Sequence, residues 1–490
     1  MCVDLATASA GAAHIANSAA ATVSYAMNTK TRAEIVICGA GIAGIAAAHE
    51  LAVVHGVRDI VLIDERPPMT LTSDKSTEAY RNWWPGPDDA MIRLMNRSID
   101  LLESWSAASA NQFQLNRRGY VYATADAAKA EQFQADAALA ELQGAGSLRT
   151  YRNSQEAQSY QPSAHRGYHG HPSGADIFLD QSSIRAHFPY LAPDVQAVVH
   201  ARRCGWMSGQ QLGMYLLDAA KAAGVTTLSG RVSAVDTHGG AVTSVTVLGA
   251  DGSEHIIATS TFINSAGPYA REVGAMMHTD LPLFSEMHLK AAFEDTLGVI
   301  DRNAGLVILD DAQTLQWSDN EREELAADDE TRWLTLPMPA GIHLRPEGYG
   351  SSQTVLMLWD YHSSHRYSAP VFPLEEDALY AEVVMRGMVA LAPALAPYVE
   401  RIPRMYVDGG YYTKTEENRP LVGPTSVRGA YVNAAFSGYG LMVAPAAGEL
   451  LAAHILGNAL PQHAAAFTLD RYQRPEYVAQ LAGWGSKGQL

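Results

Sequence analysis

The stretch Glu34–Arg66, EIVICGAGIAGIAAAHELAVVHGVRDIVLIDER, decides the fold. Ile35 to Cys38 is a short apolar run stopped by glycine, the pattern of a buried strand. Gly39, Gly41 and Gly44 follow in GxGxxG spacing. IAAAHELAVV then reads as a helix lying close on a sheet, and DIVLID as a second buried strand ending in Asp64. A lone GxGxxG says little. Here it follows a strand, opens a helix, and has an acid at the end of the next strand. Gly39 makes the tight turn, Gly41 admits a pyrophosphate to the backbone, and Gly44 lets helix and strand approach. Ala40, Ile42 and Ala43 complete the loop, whose free N–H groups and helix dipole face the phosphates. Asp64, followed by Glu65 and Arg66, is placed to bind ribose hydroxyls. The competing reading is a glycine-rich crossover that binds nothing.

Composition sets the bounds. The chain has 490 residues, 47% of them hydrophobic, enough for a large core and two or three domains. A net charge of −17 argues against nucleic acid as a partner. Cys2, Cys38 and Cys204 are far apart, with no CxxC pair. That excludes a disulfide framework and a cysteine zinc site, and fits a reducing, cytoplasmic setting. No metal site is expected. No apolar run reads as long enough to span a bilayer. Residues 1–33 are rich in Ala, Ser and Thr and lack the features of a secretory or mitochondrial leader, so they read as an extension.

The chain after Arg66 does not continue as regular βαβ units. A polar loop with prolines and a tryptophan pair, RPPMTLTSDKSTEAYRNWWPGP, intervenes. Further on, TSTFINSAGPYA is a strand that turns tightly at Ser265, Ala266 and Gly267. Near the C-terminus, GAYVNAAFSGYGLMVAPAAGELLAAHILG is a strand, a turn at Gly438 and Gly440, and an apolar helix. A nucleotide-binding fold is therefore assembled from N-terminal, middle and C-terminal pieces.

This ordered set of motifs, GAGIAGIAAAHEL…VLID, STEAYR, INSAGPYA and GYYTKTEENRPLVGP…AAFSGYGLM, resembles the FAD-dependent amine and amino acid oxidoreductases. That family includes D-amino acid oxidase, glycine oxidase and monomeric sarcosine oxidase. The resemblance runs from about Glu34 to the C-terminus. It implies an α/β, two-domain fold: a Rossmann-like FAD-binding domain of discontinuous segments, with an inserted antiparallel-sheet substrate domain. The expected FAD-binding segments are 34–81, 198–275 and 408–457. The substrate domain takes 82–197 and 276–407, and residues 458–490 form a tail on the FAD domain. In the middle segment, Leu212, Tyr215, Leu216 and Ala219 are spaced to bury one helix face. RRGYVYATA and the regions 283–293, 340–346 and 354–361 alternate like half-buried strands. The acidic run SDNEREELAADDETR reads as a solvated helix and loop.

The resemblance also implies site residues. Ser76 and Thr77 lie in the loop that reaches the flavin or phosphates, and Val232 begins the strand whose backbone holds adenine. Gly438, Tyr439, Gly440, Leu441 and Met442 form the C-terminal cofactor turn, with Tyr439 also facing the reacting side. Arg81, in STEAYR, takes the place of a carboxylate-binding arginine; its planar fork suits that role. By alternation His343 and Arg345 share one strand face, as do His288 and Lys290. That pattern fits either a half-exposed sheet or a polar cavity. Where glycine and D-amino acid oxidases carry a substrate-clamping arginine, this chain has Tyr412. Gly410 stands where sarcosine oxidase attaches FAD through cysteine, so FAD is expected to be non-covalent. The dioxygen-activating lysine of that enzyme has Met357 or a neighbour in its place, with Lys290 as a substitute.

The function implied is oxidation of the C–N bond of an amino acid, N-alkyl amino acid or related amine. Hydride goes to flavin N5, the imine is hydrolysed, and dioxygen or another acceptor reoxidises the flavin. The partners are a small amine substrate and that acceptor; the sequence does not fix an oligomeric state. Two rivals share the fold: an FAD-dependent 2-hydroxy-acid dehydrogenase with His343 or His288 as base, and a non-catalytic FAD-binding assembly factor.

Overall fold

Ile35–Cys38 lies at the centre of a six-stranded sheet in the computed structural model, which describes residues 30–163, 166–361, 365–374 and 377–481. Most of the expected N-terminal extension falls outside the described residues. Residues 31–490 form one unit. Ile60–Asp64 and Thr261–Asn264 flank the central strand in parallel register. Thr226–Ser229 and Ala430–Ala434 extend the sheet in parallel, and Leu421–Pro424 closes one edge antiparallel. The central strand is buried at every position, as a parallel sheet covered on both faces requires.

Ile42–His49 is an α-helix that continues as a π-helical turn, Glu50–Val54. It packs against Gly209–Ala222 and Gly440–Leu456. On Gly209–Ala222 the buried stripe is Leu212, Gly213, Leu216, Leu217 and Ala220, while Tyr215 and Ala219 lie at its margin. The stripe is turned from the expected one because Gly213 presses on Met69, where a side chain would not fit. Ser437–Leu456 is long and apolar enough to cross a membrane, which the sequence reading did not anticipate. Two-thirds of it (67%) is buried inside the fold, against Ile42–His49 and Ala90–Ala108.

The second large sheet has nine strands. In spatial order they are Tyr406–Lys414, Phe284–Glu294, Thr354–Leu358, Ile342–Pro346, Leu306–Leu309, Tyr120–Thr124, Ala197–Ala201, Ala175–Phe178 and Leu148–Tyr151. The expected strands at 283–293, 340–346 and 354–361 are all here. The sheet is mainly antiparallel, with two parallel pairs. Tyr406–Lys414 and Ala197–Ala201 belong to this sheet, although the expected boundaries put most of each in the FAD-binding segments. One face carries the aliphatic core with Met357, Trp359 and the helix Tyr380–Leu391. The acidic run forms the helix Asp319–Ala327, capped by Ser318 and Glu321 and with no buried residue.

The two sheets meet through the loop after Ile60–Asp64. Thr72 donates its hydroxyl to the Tyr411 carbonyl at 2.7 Å, and Lys75 pairs with Asp408 at 2.9 Å. The edge strand of the large sheet is thereby held beside the glycine loop of the small one.

Candidate active site

The glycine loop is fixed by contacts only glycine allows. Gly39 has φ +105°, and a β-carbon there would come 2.3 Å from the Ser265 carbonyl oxygen. A β-carbon on Gly44 would sit 1.9 Å from the Gly39 oxygen, so this glycine sets the close approach of helix to strand. Gly41 is the N-cap of the helix, and the next N–H, on Ile42, reaches Ser73 Oγ at 3.1 Å. Asp64 accepts from the Ala40 N–H at 2.7 Å and the Arg66 N–H at 2.9 Å, tying the strand end to the loop. Burial raises its pKa, partly offset by those two bonds.

Cavities follow this loop at the carboxyl ends of the parallel strands, where open α/β sheets bind ligands. The first, about 280 Å³, is lined by Gly39, Asp64, Glu65, Arg66, Val232 and Ala266, among others. The second lies across the loop and is bordered by Gly41, Ile42, Ala43, Ser76, Ser265 and Gly267. Its far wall is the turn Phe436–Leu441 with Tyr412. The third, about 290 Å³, shares Tyr412 and Gly438 with the second and runs under the large sheet. Together they run from one sheet to the other, the first two as a trench along the glycine loop and the third as an inner cavity beyond it.

The trench fits a dinucleotide. Ser265 Oγ, Ser437 Oγ and Asn433 Oδ1 border its second cavity, and each is buried without a hydrogen-bond partner in the protein. Such groups cost stability unless a ligand or water satisfies them. Ala435 and Ser437 hold positive φ of 61° and 48°, the kind of backbone strain found at ligand clamps. Cys38 borders the first cavity, but burial pushes its thiol up to about 12, so it is no nucleophile there.

The third cavity gathers the reactive side chains. Arg81 is buried, donates to the Tyr122 hydroxyl at 3.0 Å, and lies 4.2 Å over Trp84. Trp83 and Trp84 are both buried. His343 meets the Gly341 carbonyl through Nδ1 at 2.9 Å, and burial lowers its pKa to about 4. It is therefore neutral near pH 7, with Nδ1–H donating and Nε2 left as acceptor. His288 stacks on Tyr412 with ring centroids 4.0 Å apart. Its Nε2 lies 3.4 Å from Glu286 and its Nδ1 3.5 Å from Asp360. Burial raises the Tyr412 and Tyr439 phenols, which stay protonated. Tyr439 donates to the Asn418 carbonyl at 2.6 Å. Thr77, Trp359 and Met442 complete the wall.

Arg345, expected beside the substrate, does not line this cavity. Its Nε and Nη2 donate to the Thr77 carbonyl at 3.1 and 2.8 Å, and its Nη1 pairs with Glu347 at 2.5 Å. It supports the loop that carries Thr77. Lys290 likewise donates to the Ser76 carbonyl at 3.2 Å, and burial lowers its pKa. Met357 is buried in the core on the sheet's other side. Donor atoms of Glu286, His288 and Asp360 lie within 4.8 Å of one another, the spacing of a metal site. The Lys414 ammonium pairs with Glu286, one of the three.

Sequence reading did not single out Tyr120, Asp310 or Asp360, which also line this cavity. Both acids directly follow apolar strand runs, LVIL and VLML with Trp359, and an acid at the end of a buried strand was the available signal. Ser437 and Asn433 carry no such signal; only the fold brings them to Ser265.

Solved structures share this architecture. L-proline dehydrogenase from P.horikoshii has 20% identity and a TM-score of 0.66, covering 91% of this chain and 99% of its own. Glycine oxidase from Geobacillus kaustophilus has 14% identity and a TM-score of 0.66, covering 90% and 99%. Iminodiacetate oxidase from Chelativorans sp. BNC1 has 18% identity and a TM-score of 0.63, covering 89% and 98%. At these identities the likeness is one of fold. No curated protein matches the chain by sequence. The model of the DAO family, FAD dependent oxidoreductase, matches residues 34–454. With the glycine loop, the trench and the cavity beyond it in one continuous arrangement, the chain belongs to the FAD-dependent oxidoreductases of the DAO family.

Proposed function

We propose that the protein oxidises the C–N bond of an amino acid, N-alkyl amino acid or related amine. The observation that carries this reading is Arg81, a buried cation bordering the cavity that adjoins the cofactor trench. A carboxylate there gains a charge-assisted, two-point contact, which orients the rest of the substrate. Structures of similar fold include enzymes named for proline, glycine and iminodiacetate.

FAD bound along the trench supplies the hydride acceptor. The protein supplies orientation and dryness. Tyr412 and Tyr439 wall the cavity with buried rings and limit water near the reacting carbon. Neutral His343 keeps Nε2 as an acceptor for a substrate N–H. Asp360, beside His288 on the cavity wall, has a carboxylate oxygen buried without a partner and is placed to take the proton of an incoming ammonium group. Water then hydrolyses the imine to an oxo compound and ammonia or a smaller amine.

FAD is held without a covalent bond on this reading. Cys204, like Cys38, is a buried thiol raised to about 12. Gly410, at the attachment position implied by resemblance, has the Lys75 side chain 3.2 Å from where its β-carbon would be. Dioxygen is the acceptor we assign, giving hydrogen peroxide. The acceptor Nε2 of neutral His343 also favours a second reading, oxidation of a 2-hydroxy acid, in which His343 takes the hydroxyl proton. Aerobic incubation with matched amino acids and hydroxy acids separates the two. Ammonia or amine release with peroxide supports the first; peroxide from hydroxy acids alone overturns it.

A further inference from the structure

A fourth cavity, about 370 Å³, lies beyond Arg81. It is separate from the cofactor trench and larger than the inner cavity it adjoins. Arg81 and Asp310 border both spaces.

The floor is continuous. Leu358, His343, Ile308, Tyr122 and Val199 are paired in register across five neighbouring strands. Residues so paired point to the same face of a sheet. Leu358 and His343 line the inner cavity, whereas Ile308, Tyr122 and Val199 line the outer one. One row of one sheet therefore runs beneath both. Over it, Arg81 bridges from Trp84 to the Tyr122 hydroxyl and stands at the junction.

One side of the outer space is apolar, where Trp83, Trp84, Met91 and Phe133 face Val199 and Ile308; the other side is polar and includes Asn418, whose amide atoms are buried without a partner. The nearby charges are largely neutralised among themselves. Lys129 lies 3.4 Å from Asp310, Arg419 2.5 Å from Asp88, and Arg471 2.7 Å from Glu417. The apolar side takes an apolar body, with a few polar groups left to orient it.

We infer that the two cavities are compartments of one substrate site, and that the substrate is a carboxylate-bearing amine with a bulky aromatic or long aliphatic substituent. The inference rests on the amine-oxidising reading above. On that reading the inner cavity takes the flavin ring and the reacting carbon, and Arg81 takes the carboxylate at the junction. The substituent lies in the outer compartment, between the tryptophans and the sheet. Glycine or proline would leave that compartment unfilled.

The test uses the FAD-loaded full chain and unreactive carboxylates of graded size: acetate, benzoate, 3-phenylpropionate and 4-phenylbutyrate. Binding is read from the shift of the flavin visible band, which needs no turnover. Affinity should rise by roughly tenfold or more from acetate to 4-phenylbutyrate, as apolar burial predicts. Val199→Trp, which fills the outer space from the sheet, should reduce that ratio to about one. Gln132→Trp fills it from an exposed helix position and repeats the test if the first variant fails to fold. Acetate binding with no gain on lengthening, or a gain that survives both variants, overturns the inference and leaves the amine reading standing. No shift with any carboxylate overturns both.

Discussion

Gly438 lies flat against the ring of Tyr412: a β-carbon at 438 would come 2.5 Å from Cε2 of that ring. This contact joins the two halves of the site. Gly438 belongs to the turn that opens the helix Gly440–Leu456, and Tyr412 to the edge strand of the large sheet. Both border the second cavity of the trench and the inner cavity.

Gly438→Ala should therefore push Tyr412 out of place and narrow the trench. The expected result is loss of bound FAD by roughly tenfold or more in affinity, the scale of a 1–3 kcal/mol overpacking strain. Flavin absorbance per protein after gel filtration measures it. Unchanged flavin content would show that Tyr412 yields without cost.

Arg81→Lys keeps a charge but loses the planar fork. For a carboxylate substrate KM should rise roughly 10- to 100-fold, in line with the loss of a charge-assisted hydrogen bond of about 1.5–3 kcal/mol. FAD affinity should change far less, because the two cavities along the glycine loop, where most of the cofactor lies on this reading, do not include Arg81. Equal losses of both would assign Arg81 to the cofactor.

Arg345→Ala should act differently. It removes the partner of half-buried Glu347 and releases the Thr77 carbonyl, destabilising the fold by roughly 1–3 kcal/mol, the cost of leaving hydrogen-bonding groups unsatisfied. Thermal denaturation should show the loss. A large rise in substrate KM at unchanged stability would instead return Arg345 to the substrate site.

Stability should fall on acidification. Burial lowers His49 and His343 to about 4 and His200 to about 3, from an ordinary value of 6.5. Between those values each of these rings binds more protons in the unfolded chain than in the folded one, and Glu50, raised to about 7 by burial, offsets one ring's share but not all three. The stabilisation is thus complete above pH 6.5 and is lost as pH drops toward 4. Tm should decrease by roughly 5 °C or more between pH 7 and 5. A flat profile over that range would show that these rings are hydrated.

Much of the fold was legible because its signals are local. Gly39 and Gly44 must be glycine for backbone reasons that any chain with this turn shares, so their spacing announced the strand, loop and helix. Alternation placed His343 and Arg345 on one strand face but could not name their neighbours. Arg345 is held by Glu347 and by the Thr77 carbonyl, the latter 268 residues away in sequence. His343 lines the cavity because it stands beside Ile308 and Leu358 in the sheet. The helix stripe at Leu212 was read one position off because Met69, from a distant loop, packs on Gly213. Asp310 and Asp360 gain meaning only when separate strands end at the same cavity. Local backbone rules survive in one dimension; partners contributed by distant segments do not.

The most direct measurement is an anaerobic titration of the flavin-bearing protein with carboxylate-bearing amines, followed at the visible flavin bands. Bleaching by amino acids or N-alkyl amino acids, stronger for those with bulky apolar substituents and weakened in Arg81→Lys, is the predicted result. A flavin that stays oxidised with every amine, or that bleaches only with hydroxy acids, would contradict it.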